Sequence, residues 1–344
     1  PGYPIGRSVR REAEMTVFIS YPCITDKESG QVKDNVVAVD LGGTHIRSAL
    51  INEKGEILAR AERETLAQEG PEAVIGRIEA SIRDVARGTE AISIVAPGPL
   101  NPRKGIIHQA PNLPGWREVP LADILHRTFE VPVHLNNDAN LAALGEHRFG
   151  AGQGVNDLIY LTISTGIGGG IISQGRLLVG AKGLAGEVGH MTLEPEGPPC
   201  GCGGRGHLEA LASGTAIARR AVEEIEKGAE SRIESLVKGD LEKVTAQVVT
   251  RAAKEGDALA ISIFEEAGFY IGLGVTNLLH ILNPELIIIG GGVSKAGDLL
   301  FEPIRATVEA RAIPSIKEGV RIVPSALRDD VGLLGAAAFV LKTG

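Results

Sequence analysis

Cysteine and positive charge are scarce in this chain, and no apolar stretch in it is long. Three of its 344 residues are cysteines, an odd and low number that argues against a disulfide framework and predicts a reducing, cytoplasmic compartment. The formal net charge of −8 offers no attraction to nucleic acid or to an anionic membrane. The best apolar runs, such as Leu286–Val293, have the length of a strand, so no membrane-spanning segment is expected.

Three further features are missing. The first 34 residues contain no apolar stretch that is followed by a small-residue cleavage site, so they predict a leader or poorly ordered segment rather than a secretory signal. They are too short for a helical DNA-binding domain. The P-loop pattern G-x-x-x-x-G-K-[ST] does not occur, which excludes that class of nucleotide site.

What is present after the leader is an alternation of short apolar runs with stretches of helical spacing. This alternation indicates an α/β protein with a substantial parallel sheet. A strand, a turn rich in glycine and threonine, and a returning strand occur twice, near Asp40 and near Ser164. The weak repeat predicts two similar lobes around a cleft. We expect a small lobe made of 35–134 and 325–344, and a large lobe made of 135–324.

Three glycine-rich turns follow predicted strands, and together they favour a nucleotide site. Glycine lets backbone amides approach a phosphate closely, threonine adds a hydroxyl donor, and the carboxylate of Asp40 can hold Mg²⁺. Each turn alone is equally typical of an ordinary hairpin or strand-to-helix connection. The residues concerned are Asp40, Gly42, Gly43 and Thr44 in the first turn, Thr165, Gly166, Gly168 and Gly169 in the second, and Gly290, Gly291 and Gly292 in the third. In the second turn, Ile171–Leu178 is the expected returning strand.

Asp138 stands where the predicted strand Val131–Leu135 meets the predicted helix Ala139–Phe149. A carboxylate at such a junction can accept a proton from a substrate hydroxyl as a general base. The ordinary alternative is a helix N-cap, a position that aspartate favours. The glycine turns, which would supply a phosphoryl donor, favour the catalytic interpretation. Further along, Asn112 offers both a donor and an acceptor, which suits vicinal hydroxyls.

The strongest local signal is a set of four metal-ligating side chains. His190, Cys200, Cys202 and His207 fall within eighteen positions and form the set of a closed, structural Cys₂His₂ zinc site. The alternative is a turn in which they are incidental. Glu187 and Glu209 flank the set, and two carboxylates held beside a rigid metal centre suggest a site that binds a polyol. We also expect Leu208–Lys227 to form one long helix.

Taken together, these motifs resemble the ROK family (repressor, open reading frame, kinase), in particular the bacterial glucokinases within it. The resemblance covers roughly 35–344, and the order of the motifs is what makes it specific. The motifs are D-L-G-G-T at Asp40–Thr44, N-L-P-G-W at Asn112–Trp116, N-D-A-N at Asn137–Asn140, G-E-V-G-H at Gly186–His190 and C-G-C-G-G-R-G-H-L-E at Cys200–Glu209.

The resemblance implies two actin-like (ribonuclease-H-like) lobes and a role for each motif residue. Asp138 would take the proton from the sugar 6-hydroxyl. The other hydroxyls would be held by Asn112, Asn137, Glu187, His190 and Glu209. The phosphates of ATP would be held by Gly42, Gly43, Thr44, Thr165 and Gly166, with adenosine near Gly290–Gly292. His207 departs from the family, which usually has a third cysteine there.

The expected function is therefore ATP-dependent phosphorylation of a hexose, with Mg²⁺ at the phosphates and a structural Zn²⁺. Glucose is the first expectation, and N-acetylmannosamine, fructose and allose stay open as substrates. ADP or polyphosphate stays open as the donor. The alternative function is that of a sugar-responsive repressor of the same family. The long helices of the second half predict a homo-oligomer, a dimer or a tetramer, with neither a nucleic-acid nor a membrane partner.

Overall fold

The computed structural model describes residues 35–110 and 112–341, so the predicted leader lies outside the described residues. The small lobe is built on an apolar central strand, in which Val36 to Val39 are fully buried. Its elements are β1 (Asn35–Leu41), β2 (His45–Asn52), β3 (Ile57–Glu64), α1 (Pro71–Val85), β4 (Ala91–Val95), β5 (Leu100–Asn101), β6 (Ile106–Gln109), β7 (Arg117–Val119), α2 (Leu121–Phe129) and β8 (Val133–Asn136). Helix α1 begins at a proline, whose fixed φ suits the first helical position, and it buries Val74, Ile78 and Ile82 on this sheet.

The large lobe follows without a linker, since α3 starts two residues after β8 ends. Its elements are α3 (Asp138–Phe149), β9 (Leu158–Ile163), β10 (Ile167–Ser173), β11 (Arg176–Leu177), α4 (Leu208–Ala212), α5 (Gly214–Glu226), α6 (Arg232–Leu236), α7 (Ala246–Lys254), α8 (Ala258–Leu282), β12 (Leu286–Gly290), α9 (Asp298–Arg311), α10 (Pro314–Lys317) and β13 (Arg321–Pro324). The last helix, α11 (Val331–Val340), returns to the small lobe and packs against β1 and β4.

The two main sheets have the same topology. The small-lobe sheet has the order β3-β2-β1-β4-β8, and the large-lobe sheet has the order β11-β10-β9-β12-β13. In each sheet the first three strands are antiparallel neighbours, and the last three are parallel neighbours. The equivalence of the sheets is what the sequence repeat predicts. The short third sheet, β5-β6-β7, is an insertion in the small lobe that the sequence pattern did not reveal.

The structure corrects the limits of two predicted elements. The returning strand β10 begins at Ile167, so Gly168, Gly169 and Gly170 lie within the strand rather than in the turn. The predicted helix 208–227 is broken at Ser213, whose hydroxyl accepts a hydrogen bond from Ala216 N (3.2 Å) and starts a new helix. Serine favours the first position of a helix. The break was not predicted, because the apolar spacing continues on both sides of it.

The glycines of β10 serve close packing. A β-carbon at Gly170 would lie 2.4 Å from Ala139 O in α3, and one at Gly169 would lie 2.9 Å from Gly186 O on the opposite face. Any side chain at these two positions would push one of these neighbours away from the sheet. The strand therefore holds α3 and the start of the metal segment close to its two faces.

Helix α8 is an exception to the expectation that no segment has the length and composition to span a membrane. Among the described residues it is the one helix whose length and composition would allow it to cross a bilayer. It packs against α4, α5, α7 and α9, and Phe264 and Ile271 are fully buried there. These contacts are those of a core helix of the large lobe.

The lobes are joined where α3 crosses α11. A β-carbon at Gly335 in α11 would lie 2.0 Å from Leu141 O, and one at Gly145 in α3 would lie 2.8 Å from Gly335 N. The two backbones therefore touch at this crossing, which only glycine permits at these positions.

We predict that Gly335→Ala lowers the free energy of unfolding by about 1–3 kcal/mol, because the added methyl group would overlap a backbone oxygen. Gly76→Ala is the matched control. Gly76 is also a helical glycine, but a β-carbon there would meet no atom within 4 Å, so the variant should gain about 0.5–1 kcal/mol. Denaturant titration of both variants measures the two changes. Equal stabilities would contradict the close crossing.

Candidate functional site

Asp138 does not cap helix α3, because the neighbouring Asn137 does. The side chain of Asn137 accepts a hydrogen bond from Asn140 N (2.8 Å) and is the N-cap of α3. One oxygen of Asp138 accepts a hydrogen bond from Ala139 N (2.8 Å), and the side chain is exposed to the cleft. The N-cap interpretation of Asp138 is therefore wrong, and its carboxylate remains accessible to a substrate.

A second carboxylate lies near Asp138. Asp40 is the second-last residue of β1 and is paired across the sheet with Arg47 in β2. Burial raises the pKa of Asp40, with the charge of Arg47 opposing this rise and the charge of Asp138 adding to it. Although solvent reaches Asp138 through the cleft, desolvation by the surrounding protein raises the pKa of that carboxyl as well. Two carboxylates with raised pKa values in one cleft are typical of a functional site.

The first glycine turn packs directly on the segment that carries Asn112. A β-carbon at Gly43 would lie 2.8 Å from the β-carbon of Asn112, so this glycine permits the approach. Thr65 fixes the turn from behind, because its hydroxyl donates to Gly42 O (2.7 Å) and its amide donates to Thr44 O (2.8 Å). The amide of Gly42 donates to His45 O (2.9 Å) and is used within the turn, while Thr44 is exposed.

The second glycine turn is attached to Glu209. One oxygen of Glu209 accepts a hydrogen bond from Ile167 N (3.0 Å), and a β-carbon at Gly166 would lie 2.4 Å from that oxygen. On the other side of the turn, the hydroxyl of Thr215 donates to Thr165 O (2.8 Å). The candidate phosphate turn and a candidate sugar ligand are therefore held together.

The third glycine turn lies beside the second. Gly291 adopts a φ of 85°, and a β-carbon there would lie 2.4 Å from Ile163 O, at the end of β9. Gly290 lies over the hydroxyl of the buried Tyr160, which a β-carbon would approach to 2.1 Å. Gly292 is exposed, and a β-carbon there would meet nothing within 4 Å. Bare backbone thus borders the cleft here.

The four predicted metal ligands come together. One ligand atom from each of His190, Cys200, Cys202 and His207 lies within 4.8 Å of the others. The Sγ of Cys202 is 3.2 Å from Nδ1 of His207, and the Sγ of Cys200 is 3.8 Å from Nδ1 of His190. Tetrahedral Zn²⁺ with ordinary bond lengths places its ligand atoms roughly 3.3–3.8 Å apart. The donor set therefore fits a zinc ion.

Both flanking carboxylates lie beside side chains of the candidate metal centre. The Nε2 of His190 faces Glu187 Oε2 at 3.8 Å, so the ring nitrogen that does not face the cysteine is directed to a carboxylate. The Sγ of Cys200 lies 3.7 Å from Glu209 Oε1. Glu209 thus connects the metal segment with the second glycine turn.

Sequence reasoning missed several residues that support this site. Thr65 and Thr215 fix the first two turns, and neither belongs to a motif that suggests this role. Asn136 and Asn140 are buried beside Asp138, and within the described part of the chain Asn136 Nδ2 and Asn140 Oδ1 have no hydrogen-bond partner. The two asparagines belong to the N-N-D-A-N run, so the polarity of that run was the available signal.

Residues 36–343 match the family model that is described as the ROK family. The chain belongs to the ROK family. A glucokinase of Thermotoga maritima is 43% identical over 310 residues, which cover 90% of this chain and 98% of that protein. A xylose repressor of Caldicellulosiruptor bescii is 34% identical, over 90% of this chain and 78% of that protein.

Among solved structures, a ROK glucokinase of Streptomyces griseus in complex with glucose and AMPPNP superposes with a TM-score of 0.77 at 35% identity. The match covers 88% of this chain and 98% of that chain. It confirms the predicted α/β fold with two actin-like lobes around a central cleft.

We predict that Asp138→Asn is more stable than the wild type at about pH 7. A carboxyl whose pKa is raised by folding stabilises the native state below its unfolded pKa, near 3.9, and this stability is lost as the pH rises through the folded pKa. The neutral amide avoids that loss. Its advantage should shrink as the pH falls toward about 5, as thermal unfolding at each pH would show.

Asp257→Asn is the control of opposite sign. Burial opposes ionisation of Asp257, but hydrogen bonds from Ala260 N, Arg232 N and Ser231 outweigh it and lower the pKa. The ionised form stabilises the native state above its unfolded pKa, and this contribution is lost on acidification. Asp257→Asn should therefore be less stable at about pH 7. The interpretation fails if both variants shift in the same direction.

Proposed function

We propose that this protein transfers the γ-phosphoryl group of ATP to a hexose hydroxyl, and that it converts glucose to glucose 6-phosphate. The observation that carries the proposal is the carboxylate of Asp138, which is released from capping by Asn137 and lies in the cleft near Asp40. The similarity to glucokinases, one of them in complex with glucose and AMPPNP, supports the sugar and the nucleotide.

In the proposed reaction, Asp138 accepts the proton of the sugar 6-hydroxyl while the hydroxyl oxygen bonds to the γ-phosphorus. The bond from this phosphorus to the bridging oxygen breaks, and ADP leaves with the bonding electrons. The raised pKa of Asp138 brings its proton affinity closer to neutral pH, which suits a general base. Because the transition state is loose, the protein contributes mainly alignment and charge stabilisation.

We assign the remaining sugar hydroxyls to five side chains. In Asn137, the Oδ1 atom caps α3, which leaves Nδ2 free to donate to the sugar. The exposed carboxylate of Glu187 can accept from a hydroxyl, as can Glu209. The full set is Asn112, Asn137, Glu187, His190 and Glu209. Donors and acceptors are both present in it, as recognition of a polyol requires.

We assign the phosphates to the first two glycine turns and adenosine to the third. Gly43, Thr44, Thr165 and Gly166 offer donors at the cleft, whereas the amide of Gly42 is bonded within its turn. At Gly290, Gly291 and Gly292, bare backbone faces the place that we assign to the adenine ring. The carboxylate of Asp40 fits Mg²⁺, which when bound neutralises phosphate charge, and this leaves Asp138 to act as the base.

We further propose a cytoplasmic enzyme that assembles as a homodimer or homotetramer and has neither nucleic-acid nor membrane partners. Composition supports these points through the low cysteine count and the net charge of −8. The long helices of the large lobe offer surfaces for self-association.

The decisive assay measures coupled ADP release with ATP, Mg²⁺ and a panel of hexoses. We predict transfer to glucose and a loss of about 10²–10⁴-fold in kcat for Asp138→Asn, with glucose binding retained. Asp123→Asn is the matched control, since Asp123 is also an exposed aspartate in the first turn of a helix. It should keep wild-type activity.

Two outcomes would contradict the proposal. Near wild-type turnover by Asp138→Asn would remove Asp138 from its role. A wild-type protein that binds sugar but transfers phosphate to none of the panel would favour the repressor function, which the xylose repressor represents among the relatives.

We propose that the Cys/His set binds a structural Zn²⁺, because its four protein ligands leave no position open for water. Metal analysis should find about one zinc per chain. Cys202→Ser should lower both the zinc content and the thermal stability and, through the displaced Glu187 and Glu209, raise the KM for glucose. Cys23→Ser is the control, as it lies outside the set. Full activity without zinc would contradict the proposal.

A further inference from the structure

Helix α3 carries a second acidic residue outside the candidate site, Glu146. Unlike Asp138, it is completely buried. Glu146 lies eight residues after Asp138 on the same helix, about 12 Å along its axis. Its side chain has no exposed surface. A buried carboxylate is costly unless its oxygens are hydrogen-bonded, and a fully hydrogen-bonded one makes the surrounding structure rigid.

Among the described residues, three groups donate hydrogen bonds to the carboxylate of Glu146, and all three lie outside α3. Its Oε1 accepts from the hydroxyl of Ser325 (2.5 Å) and from Leu327 N (2.9 Å), and its Oε2 accepts from Ala151 N (2.8 Å). Ser325 and Leu327 belong to the short connection 325–330, which leads from β13 in the large lobe to α11 on the small lobe. Glu146 therefore holds α3 to the chain segment that passes between the lobes.

The same serine is attached to the third glycine turn. The amide of Ser325 donates to Ile289 O (2.9 Å), and Ile289 directly precedes Gly290. A continuous path of hydrogen bonds thus runs from the turn assigned to adenosine, through Ser325 and Glu146, to the helix that starts with Asp138.

We infer that Glu146 is a positioning residue, which acts through Ser325 to hold the general base Asp138 at a fixed distance from the nucleotide turn Gly290–Gly292. The inference rests on the proposed function, because it assigns Glu146 to the alignment of phosphoryl donor and base. In a reaction that depends mainly on alignment, a displacement of about 1 Å costs up to about 10²-fold in rate. Substrate binding depends on other contacts and should change little.

The chain contains a matched control for this network. Asp257 is also buried, and it also accepts one serine hydroxyl bond, from Ser231 (3.0 Å), and two backbone bonds, from Arg232 N (2.7 Å) and Ala260 N (2.8 Å). It joins α6 to α8 within the large lobe, and none of its hydrogen bonds among the described residues goes to a glycine turn. Ser231→Ala therefore removes the same kind of hydrogen bond as Ser325→Ala, but at a place that positions no site residue.

The experiment compares Ser325→Ala with Ser231→Ala in the full chain, by kcat and KM for glucose and ATP and by thermal unfolding. Both variants should lose a similar amount of thermal stability. Only Ser325→Ala should lower kcat, by about tenfold, with the KM for glucose within about twofold of the wild type. Ser325→Thr, which keeps the hydroxyl, should restore most of kcat. An unchanged kcat in Ser325→Ala, or an equal loss in both variants, would overturn the inference.

A measurement without turnover separates this inference from the proposed function. Hydrogen exchange should be faster in Ser325→Ala than in the wild type at two places, the amides of 290–297 and those of 139–142, and Ser231→Ala should change neither. If the wild type transfers no phosphate, the proposed function fails, and this exchange comparison alone decides whether Glu146 couples the turn to α3. Exchange that is unchanged at either place would overturn the coupling.

Discussion

The position of helix α3 is the constraint on which the rest of the site depends. It is held against the large-lobe sheet where Gly170 lies, and against α11 where Gly145 and Gly335 bring two backbones into contact. Side-chain-free contacts of this kind leave few alternative positions for the helix. The first residue of α3 is Asp138, so the packing of the helix sets the place of the proposed base.

The candidate metal centre has a comparable effect on the part of the cleft where we propose that the sugar binds. The segment from Gly186 to Glu209 is rich in glycine and short of apolar side chains, so packing alone would hold it weakly. Four ligands that converge on one point give it a fixed shape, and the shape places Glu187 beside His190 and Glu209 beside the second glycine turn. The carboxylates are therefore oriented by the metal segment rather than by a hydrophobic core.

Much of the fold was predictable because it follows from periodicity. Helix α3 was expected over Ala139–Phe149 and forms over Asp138–Phe149, and the repeated strand-turn-strand pattern corresponds to two sheets of one topology. The limits that were wrong depend on tertiary contacts. Gly168 to Gly170 read as a turn, but they are strand residues, because the neighbours on both faces require a bare backbone.

The candidate site was predictable as a set of residues and less so as a set of roles. Motif spacing brought the four metal ligands together correctly. It could not show that Asn137 rather than Asp138 caps α3, since both residue types cap helices well and are adjacent. Glu146 carried no signal, because its three partners are backbone amides and a serine distant in the chain.

The crossing of α3 and α11 has a mechanical consequence. Buried side chains of both helices surround the glycine contact, with Leu141 of α3 and Leu333 and Leu334 of α11 in one apolar cluster. Pulling the helices apart would therefore expose both backbones and this cluster at once. Any movement of the lobes that leaves the crossing intact keeps the distance along α3 from the crossing to Asp138 constant.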